Sequence, residues 1–472
     1  MNKILMSVFC AILASTILTA CGSSGGGNTP VTTCTSTQRQ FTLTNSTSDT
    51  IWVGITAGTI SCLADSDCPT GASGSCVGAS PPNAGVCGCE GASSNCGTIS
   101  VCNPTNNYCY WSLPSLTQSQ VKLASGGSST ICFPAPVLDI DIQWSGKIFA
   151  RTGCDSNGQN CKTGECGADS NGICPTYVGG SQPTSLFEFT LSNQSSFTPT
   201  PNSDYYDISV ENGINVAISG GPVAGTYDAV AGNAYSCTTA GSTSAQGSLS
   251  ACSWTVSPPA DKLIWLRDVS PTSYAGTTCP GGGSPNSLNY CECTADSQCG
   301  SGKCGLAMNA SSAQYTRVCG AQIGWWTADE LCDSSTDSSL SGMMNCAATV
   351  DNGDGTTSTY TELLTCTGKQ LQSCYTSGAA GYCCGCATSA SAPDVASWPT
   401  VLNPDYNGGS DHGCYNNNTN WGTVVQPWIT FLKTACSTIY TYPYDDATST
   451  FTCIGNESTG SPHYTVTFMN TN

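Results

Sequence analysis

Cysteine limits what this chain can fold into. It holds 34 cysteines, and setting aside Cys10 and Cys21, both near the N-terminus, leaves 32, an even set. An exported chain with so many cysteines is a disulfide scaffold, because small Cys-dense segments cannot bury enough apolar surface to order themselves. The cysteines also carry an internal repeat. C-L-A-D-S-D-C…C…V-C-G, with Cys62, Cys68, Cys76 and Cys87, matches C-T-A-D-S-Q-C…C…V-C-G, with Cys293, Cys299, Cys304 and Cys319. Both copies lie in Gly/Ser/Pro-rich stretches where the surrounding β-pattern stops, so they are expected as inserts at about 60–110 and 279–320 of a parent domain.

Around the inserts the pattern is that of short strands. Gln40 to Asn45 and Tyr464 to Phe468 alternate apolar and polar residues. Asp49 to Thr56, Gln120 to Leu123, Ser129 to Phe133 and Ser449 to Cys453 are also strand-like. The stretch from Lys147 to Asn215 is the most informative. Lys147, Phe149 and Arg151 share one face of a β run, Glu188 lies inside a second run, and Asp207 inside a third. Charged residues make up only 9% of the chain, so a charge in mid-strand is unusual here. The expected class is all-β, an antiparallel sandwich. Residues 328–390 read as a loop-rich, Cys-rich lobe, and Trp428, Phe431, Leu432 and Ala435 recur at helical spacing after Pro427.

Lys3 followed by the apolar run Ile4 to Leu18 reads as an export signal, too short for a membrane span. Leu18-Thr19-Ala20-Cys21 resembles the lipobox of bacterial lipoproteins, which implies lipidation at Cys21, the alternative being ordinary cleavage. The expected division is a signal peptide at 1–20, a Gly/Ser/Thr-rich tether at 21–37 and the folded domain at 38–472. Gly22 after Cys21 is compatible with the outer membrane, so the expected place is the bacterial cell envelope. The net charge of −19 argues against nucleic-acid binding. A surface of Ser, Thr, Asn and Gly suits polysaccharide.

The order of motifs resembles the thaumatin-like protein family. The residues that carry the likeness are A-R-T-G-C…C-K-T-G-E-C, P-T-S-L-F-E-F, D-Y-Y-D-I-S-V-x-x-G-I-N-V, G-Y-C-C and P-Y-D-D-A-T-S-T-F-T-C. The resemblance implies a sandwich beside a disulfide lobe. It implies disulfides Cys154–Cys161, Cys166–Cys174, Cys237–Cys453, Cys252–Cys436 and Cys374–Cys383. Thr47 and Met469 stand where plant members clasp the two ends of the domain with a disulfide, so strand pairing alone is expected to join them.

The family also has an acidic cleft lined by one Arg, one Glu and three Asp. By resemblance Arg151 takes the place of the Arg, Glu188 the Glu and Asp207 the first Asp. Asn212 stands at the second Asp, and Asp445, with Asp446 beside it, at the third. A glycoside hydrolase needs one protonated and one ionised carboxyl group. Arg151 beside Asp207 is expected to keep it charged, while Phe187 and Phe189 shield Glu188 as the acid. Three functions follow: weak β-1,3-glucan hydrolysis through Glu188 and Asp207; binding of β-glucan or another polysaccharide without cutting; or a surface scaffold whose inserts meet another protein. A buried ion-pair network is the structural alternative for the same charges. No cofactor is expected, and a monomer is.

Other chemistry has little support in the residues. His412 and His463 sit in no catalytic motif. Cys87-Gly-Cys89, Cys291-Glu-Cys293 and Cys384-Gly-Cys386 read as disulfide rather than zinc sites. Asp65 with Asp67, and Asp351 with Glu362, read as turns rather than Ca²⁺ loops.

Overall fold

The computed structural model describes residues 34–35, 38–62, 65, 68, 76–77, 85–89, 96, 100–134, 144–192, 203–256, 267–309, 314–327, 332, 346–351, 355–365, 426–442, 445–456 and 461–471. The export signal, Cys21, most of the tether, Asp67, Cys374, Cys383, Cys384, Cys386 and His412 lie outside them, as does the side chain of Asp446.

Among the described residues, eleven strands form the sandwich. In chain order they are β1 Gln38–Ser46, β2 Ile51–Ala57, β3 Lys122–Leu123, β4 Ser128–Pro134, β5 Trp144–Arg151, β6 Leu186–Leu191, β7 Asp204–Ser209, β8 Ala217–Pro222, β9 Tyr227–Asp228, β10 Phe451–Gly455 and β11 Tyr464–Met469. One sheet has the order β8-β11-β1-β4, the other β9-β10-β7-β6-β5-β2-β3. Every pairing in the two sheets is antiparallel except β1 with β11, which run parallel from Phe41 opposite Tyr464 to Ser46 opposite Met469. The two ends of the domain therefore meet, and Ser46 opposite Met469 lies beside the place of the missing disulfide.

The alternating apolar residues meet between the sheets. Phe41 lies 4.7 Å from Phe133 and 5.0 Å from Tyr464, and Trp144 stacks on Phe189 at 5.4 Å, ring centre to ring centre. Such rings bury large apolar areas and lock one another by edge and offset contacts.

Strand pairing is not the only clasp, contrary to the sequence reading. Arg39 on β1 and Asp204 on β7 form a fully buried ion pair at 2.7 Å, joined by the Tyr464 hydroxyl from β11 at 2.7 Å. Cys34 is bonded to Cys132, so the covalent frame begins inside the segment expected as tether. The expected pairs Cys154–Cys161, Cys166–Cys174, Cys237–Cys453 and Cys252–Cys436 all form. Helix α1, Gln426–Ala435, precedes Cys436, as the spacing predicts.

The internal repeat is one small fold used twice. Cys62–Cys76 and Cys68–Cys87 correspond to Cys293–Cys304 and Cys299–Cys319, first to third and second to fourth in both copies. Cys76 pairs in register with Cys87, and Cys304 with Cys319. In both, the Asp of A-D-S accepts the backbone N–H of the third Cys: Asp65 from Cys76 at 2.7 Å, Asp296 from Cys304 at 2.9 Å. Asp65 stands in a turn, its carbonyl accepting the Cys68 N–H at 3.3 Å, and its side chain ties that turn to the strand of Cys76. The first insert packs into the main core through Cys62, Cys87, Cys109 and Trp111, whereas the cysteines of the second make their own cluster. Cys87, Cys89, Cys291 and Cys293 are all in disulfides, which removes them as zinc thiolates. Asp351 ends one strand of a hairpin with 357–359. Glu362 accepts the N–H of Thr359 at 2.7 Å and its own N–H bonds Thr359 Oγ1, a capping box at a helix start. Among the described residues no helix is long and apolar enough to cross a membrane.

Candidate functional site

Register and alternation build the site. Lys147 on β5 lies opposite Glu188 on β6, and Glu188 opposite Asp207 on β7. Two residues along, Ser145, Thr190 and Tyr205 form a second row. The first of these meets Gly58, whose N–H donates to the Ser145 carbonyl at 2.8 Å. Side chains on a strand alternate faces, so both rows point away from the core, while Phe189 and Tyr206 between them, and Ile148, Phe187 and Ile208 on the far side of the first row, point into it. The rows line a groove of about 270 Å³ that includes Ala57, Gly58, Lys147, Glu188, Tyr205 and Asp207. Gly58 packs closely there: a Cβ would meet Ser145 Oγ at 2.0 Å, and that hydroxyl would have to rotate away.

The next residues outward on the same face, Phe149 and Leu186, are buried under the loops of Cys166–Cys174, which with the Cys154–Cys161 loop make the disulfide lobe beside the groove, a different stretch of chain from 328–390. The groove is thus the strip of sheet that the disulfide lobe leaves open. Lys147 is half-exposed and its Nζ lies 2.6 Å from Glu188 Oε1. Burial works against its charge, but Glu188, and then Glu211 and Asp207, outweigh that and raise its pKa above the usual lysine value. Tyr205 is 43% exposed, one of few large apolar side chains so open to solvent among the described residues.

Of the residues expected in the cleft, Glu188 and Asp207 come together as cross-strand neighbours. Arg151 does not join them. It is fully buried, with Nη1 donating to the Gly158 carbonyl at 2.7 Å and Nη2 to that of Gly172. Burial brings it down to about 10, opposed by the carboxylates of Glu165 and Asp169. Glu165 in turn accepts the N–H groups of Cys161, Cys166 and Gly167, and these and Arg151 outweigh its desolvation and hold it below the usual carboxylate range. Arg151 therefore staples the disulfide loops, and Lys147 is the cation of the groove. Lys147 and Arg151 share one strand face, so alternation alone does not say which one the lobe covers. Glu165 of the adjacent C-K-T-G-E-C run and Asp169 just after it were the available signal.

Asp445 is also diverted. It is 1% exposed, 2.6 Å from the buried Lys433 Nζ, and accepts the N–H and hydroxyl of Thr441 at 3.0 Å. Burial lowers Lys433, against the pull of Asp445 and, beyond it, Asp207. This pair thus forms a structural wall near Asp207. Asn212 is half-buried, its side chain accepting from Gln182 Nε2 at 3.1 Å, and it stands beside the lobe rather than in the two rows. Phe187 and Phe189 face the core and do not shield Glu188 as expected. Lys147 and Tyr205 are the groove residues that sequence reasoning passed over, and Glu211, outside the lining, adds a charge that Lys147 feels.

The model of the Thaumatin family matches residues 107–264, which include Lys147, Glu188 and Asp207. Thaumatin-like protein 1 of Pyrus pyrifolia is 35% identical over 127 residues, 26% of this chain and 45% of that protein. Pathogenesis-related thaumatin-like protein 3.5 of Cryptomeria japonica is 36% identical over 109 residues, 22% of this chain and 40% of that protein. The alignments span less than half the length of these relatives. The solved structure of the thaumatin-like xylanase inhibitor TLXI is 18% identical and covers 38% of this chain and 74% of its own, but with a TM-score of 0.18 it carries no argument. The family's motifs in order, the matching model and these relatives make this chain similar to the thaumatin-like proteins, over 107–264 in the family model.

Proposed function

We propose that this protein binds a neutral polysaccharide of the β-1,3-glucan type in the groove and does not cut it. The observation that carries this reading is the Lys147–Glu188 pair at 2.6 Å on the groove floor, next to the exposed ring of Tyr205. A general acid must hold a proton, and a protonated Glu188 would forfeit its ion pair. The same pair offers a donor and an acceptor to sugar hydroxyls, and Tyr205 offers an aromatic face to a pyranose ring. Cys21, by its lipobox-like context, anchors the domain to the bacterial envelope, and Cys21→Ser is expected to move it from the membrane fraction to the soluble one.

The test is retention of the full chain on insoluble β-1,3-glucan, with reducing ends assayed in the supernatant. Retention without release of sugar is expected. Failure to be retained overturns the reading. One observation favours hydrolysis: a retaining glycosidase works through two neighbouring carboxyl groups, and Glu188 and Asp207 are directly opposed across two strands. Sugar release that disappears in Glu188→Gln would establish that alternative.

A further inference from the structure

Deepening the polysaccharide reading and resting on it, we propose that the first Cys-rich insert lengthens the groove. Tyr110 of the insert and Tyr177 of the disulfide lobe form a second aromatic subsite beyond Gly58, which takes further sugar rings of the polymer seated at Tyr205.

The backbone places this pair at the groove's end. From Tyr205 the outer row crosses Thr190 and Ser145 to Gly58. That is three inter-strand steps of ~4.8 Å, or about 14 Å, so the groove already spans a short oligosaccharide. At Gly58 the chain leaves the sandwich and is met at once by the insert. The Gly58 carbonyl accepts the Trp111 N–H at 3.1 Å, Thr59 bridges to Tyr110, and the Ile60 N–H reaches the Cys109 carbonyl at 2.9 Å. The lobe arrives at the same point, because the Ala57 N–H donates to the carbonyl of Thr176, the neighbour of Tyr177. The two tyrosine rings lie 5.8 Å apart with their planes tilted 52°, and both are only half-buried. Asn106 Nδ2 donates to the Tyr110 hydroxyl at 2.9 Å and fixes that ring.

Two aromatic platforms separated by a polar floor suit a polymer that presents apolar ring faces and hydroxyls in turn. Tyrosine serves this purpose because it is rigid, apolar on its face and polar at its tip, so little entropy is lost when it is covered. The insert carries one of the two rings. Its role is then to set how long a chain the groove recognises.

The experiment is titration of the full chain with β-1,3-gluco-oligosaccharides from disaccharide to hexasaccharide. For the native protein, affinity is expected to rise with length to the hexasaccharide. Tyr110→Ala should lose about tenfold in affinity on the hexasaccharide while leaving the disaccharide unchanged, which also shows the variant to be folded. Tyr177→Ala, on a different element, should do the same, and Tyr110→Phe should retain the rise. If both alanine variants keep the native dependence on length, the subsite is wrong and the groove reading stands. If no oligosaccharide of any length binds the native protein, both fall together. A native affinity that stops rising at the disaccharide overturns the subsite as well.

Discussion

Arg39 and Asp204 face each other in a buried two-pronged ion pair, Nη1 to Oδ2 at 2.7 Å and Nη2 to Oδ1 at 3.1 Å, with side chains 1% and 0% exposed. Ser192 donates its N–H to Asp204 at 2.8 Å, its carbonyl accepts Arg39 Nη2 at 2.9 Å, and the Tyr464 hydroxyl completes the set. The network thus links β1 and β11 of one sheet to β6 and β7 of the other. Breaking such a pair on one side leaves a buried charge without its counterion, which costs ~3–5 kcal/mol. Arg39→Met is expected to lower the denaturant midpoint accordingly, and Arg39→Met with Asp204→Leu to recover most of the loss. If the double variant is as unstable as the single one, desolvated charge is not the cause.

Lys147 is expected to behave differently. It is 48% exposed on its side chain, so its pair with Glu188 contributes only ~0–1 kcal/mol to stability. Lys147→Gln should leave the denaturant midpoint nearly unchanged and weaken retention on β-1,3-glucan by about tenfold, the effect of removing a charged hydrogen-bonding partner of a ligand. An equal loss of stability and retention would make the pair structural.

These contrasts show how far the residues alone could be read. Period-two alternation placed Glu188 and Asp207 each inside a strand, and the family resemblance placed them in one cleft; they are neighbours because both lie in mid-strand in successive antiparallel strands. It could not separate Lys147 from Arg151, which share a face; coverage by the lobe decides between them, and that is a tertiary fact. Asp445 was misplaced for a similar reason. Its partner Lys433 sits on a helix, and nothing local in P-Y-D-D marks the carboxylate as buried. Arg39 stands at the start of a strand whose pattern is legible only from Gln40, so its buried ion pair with Asp204 is not marked in the sequence. The repeat, by contrast, was plain in the cysteine spacing, and its two copies share one connectivity because the A-D-S turn is held in the same way in each.

The staple made by Arg151 leads to a test on glycine. Gly172 has φ +73° and a Cβ there would meet the Trp52 ring at 2.3 Å, while Gly167, at φ +69°, has open space around it. Gly167→Ala should cost only the ~1–2 kcal/mol of left-handed strain. Gly172→Ala adds a clash against a buried indole and should cost a further ~1–3 kcal/mol. Thermal melts of the two variants check this, and equal losses would mean that the loop moves freely away from Trp52.

The pH dependence of stability centres on Asp268. It lies on the strand Arg267–Pro271, paired with Leu306 on one side and Gly324 on the other, and is 5% exposed. Burial pushes its pKa up to about 7, against the pull of the Val269 N–H and Trp326. An unfolded Asp titrates near ~3.9. Between these values the folded protein keeps a proton that the unfolded chain has lost, so the contribution of this group is fully present below ~3.9 and disappears as pH rises through 7. Its size is on the order of 4 kcal/mol. Other groups act in the opposite sense. Burial lowers His463, and backbone N–H bonds hold Asp155 and Asp169 below the usual carboxylate range, so their contributions are lost as pH falls. The difference between Asp268→Asn and the native protein isolates Asp268. The variant should gain stability over the native protein at pH 8, and the gain should fade toward pH 5. A gain that does not change across that range would show that Asp268 does not keep its proton in the folded state.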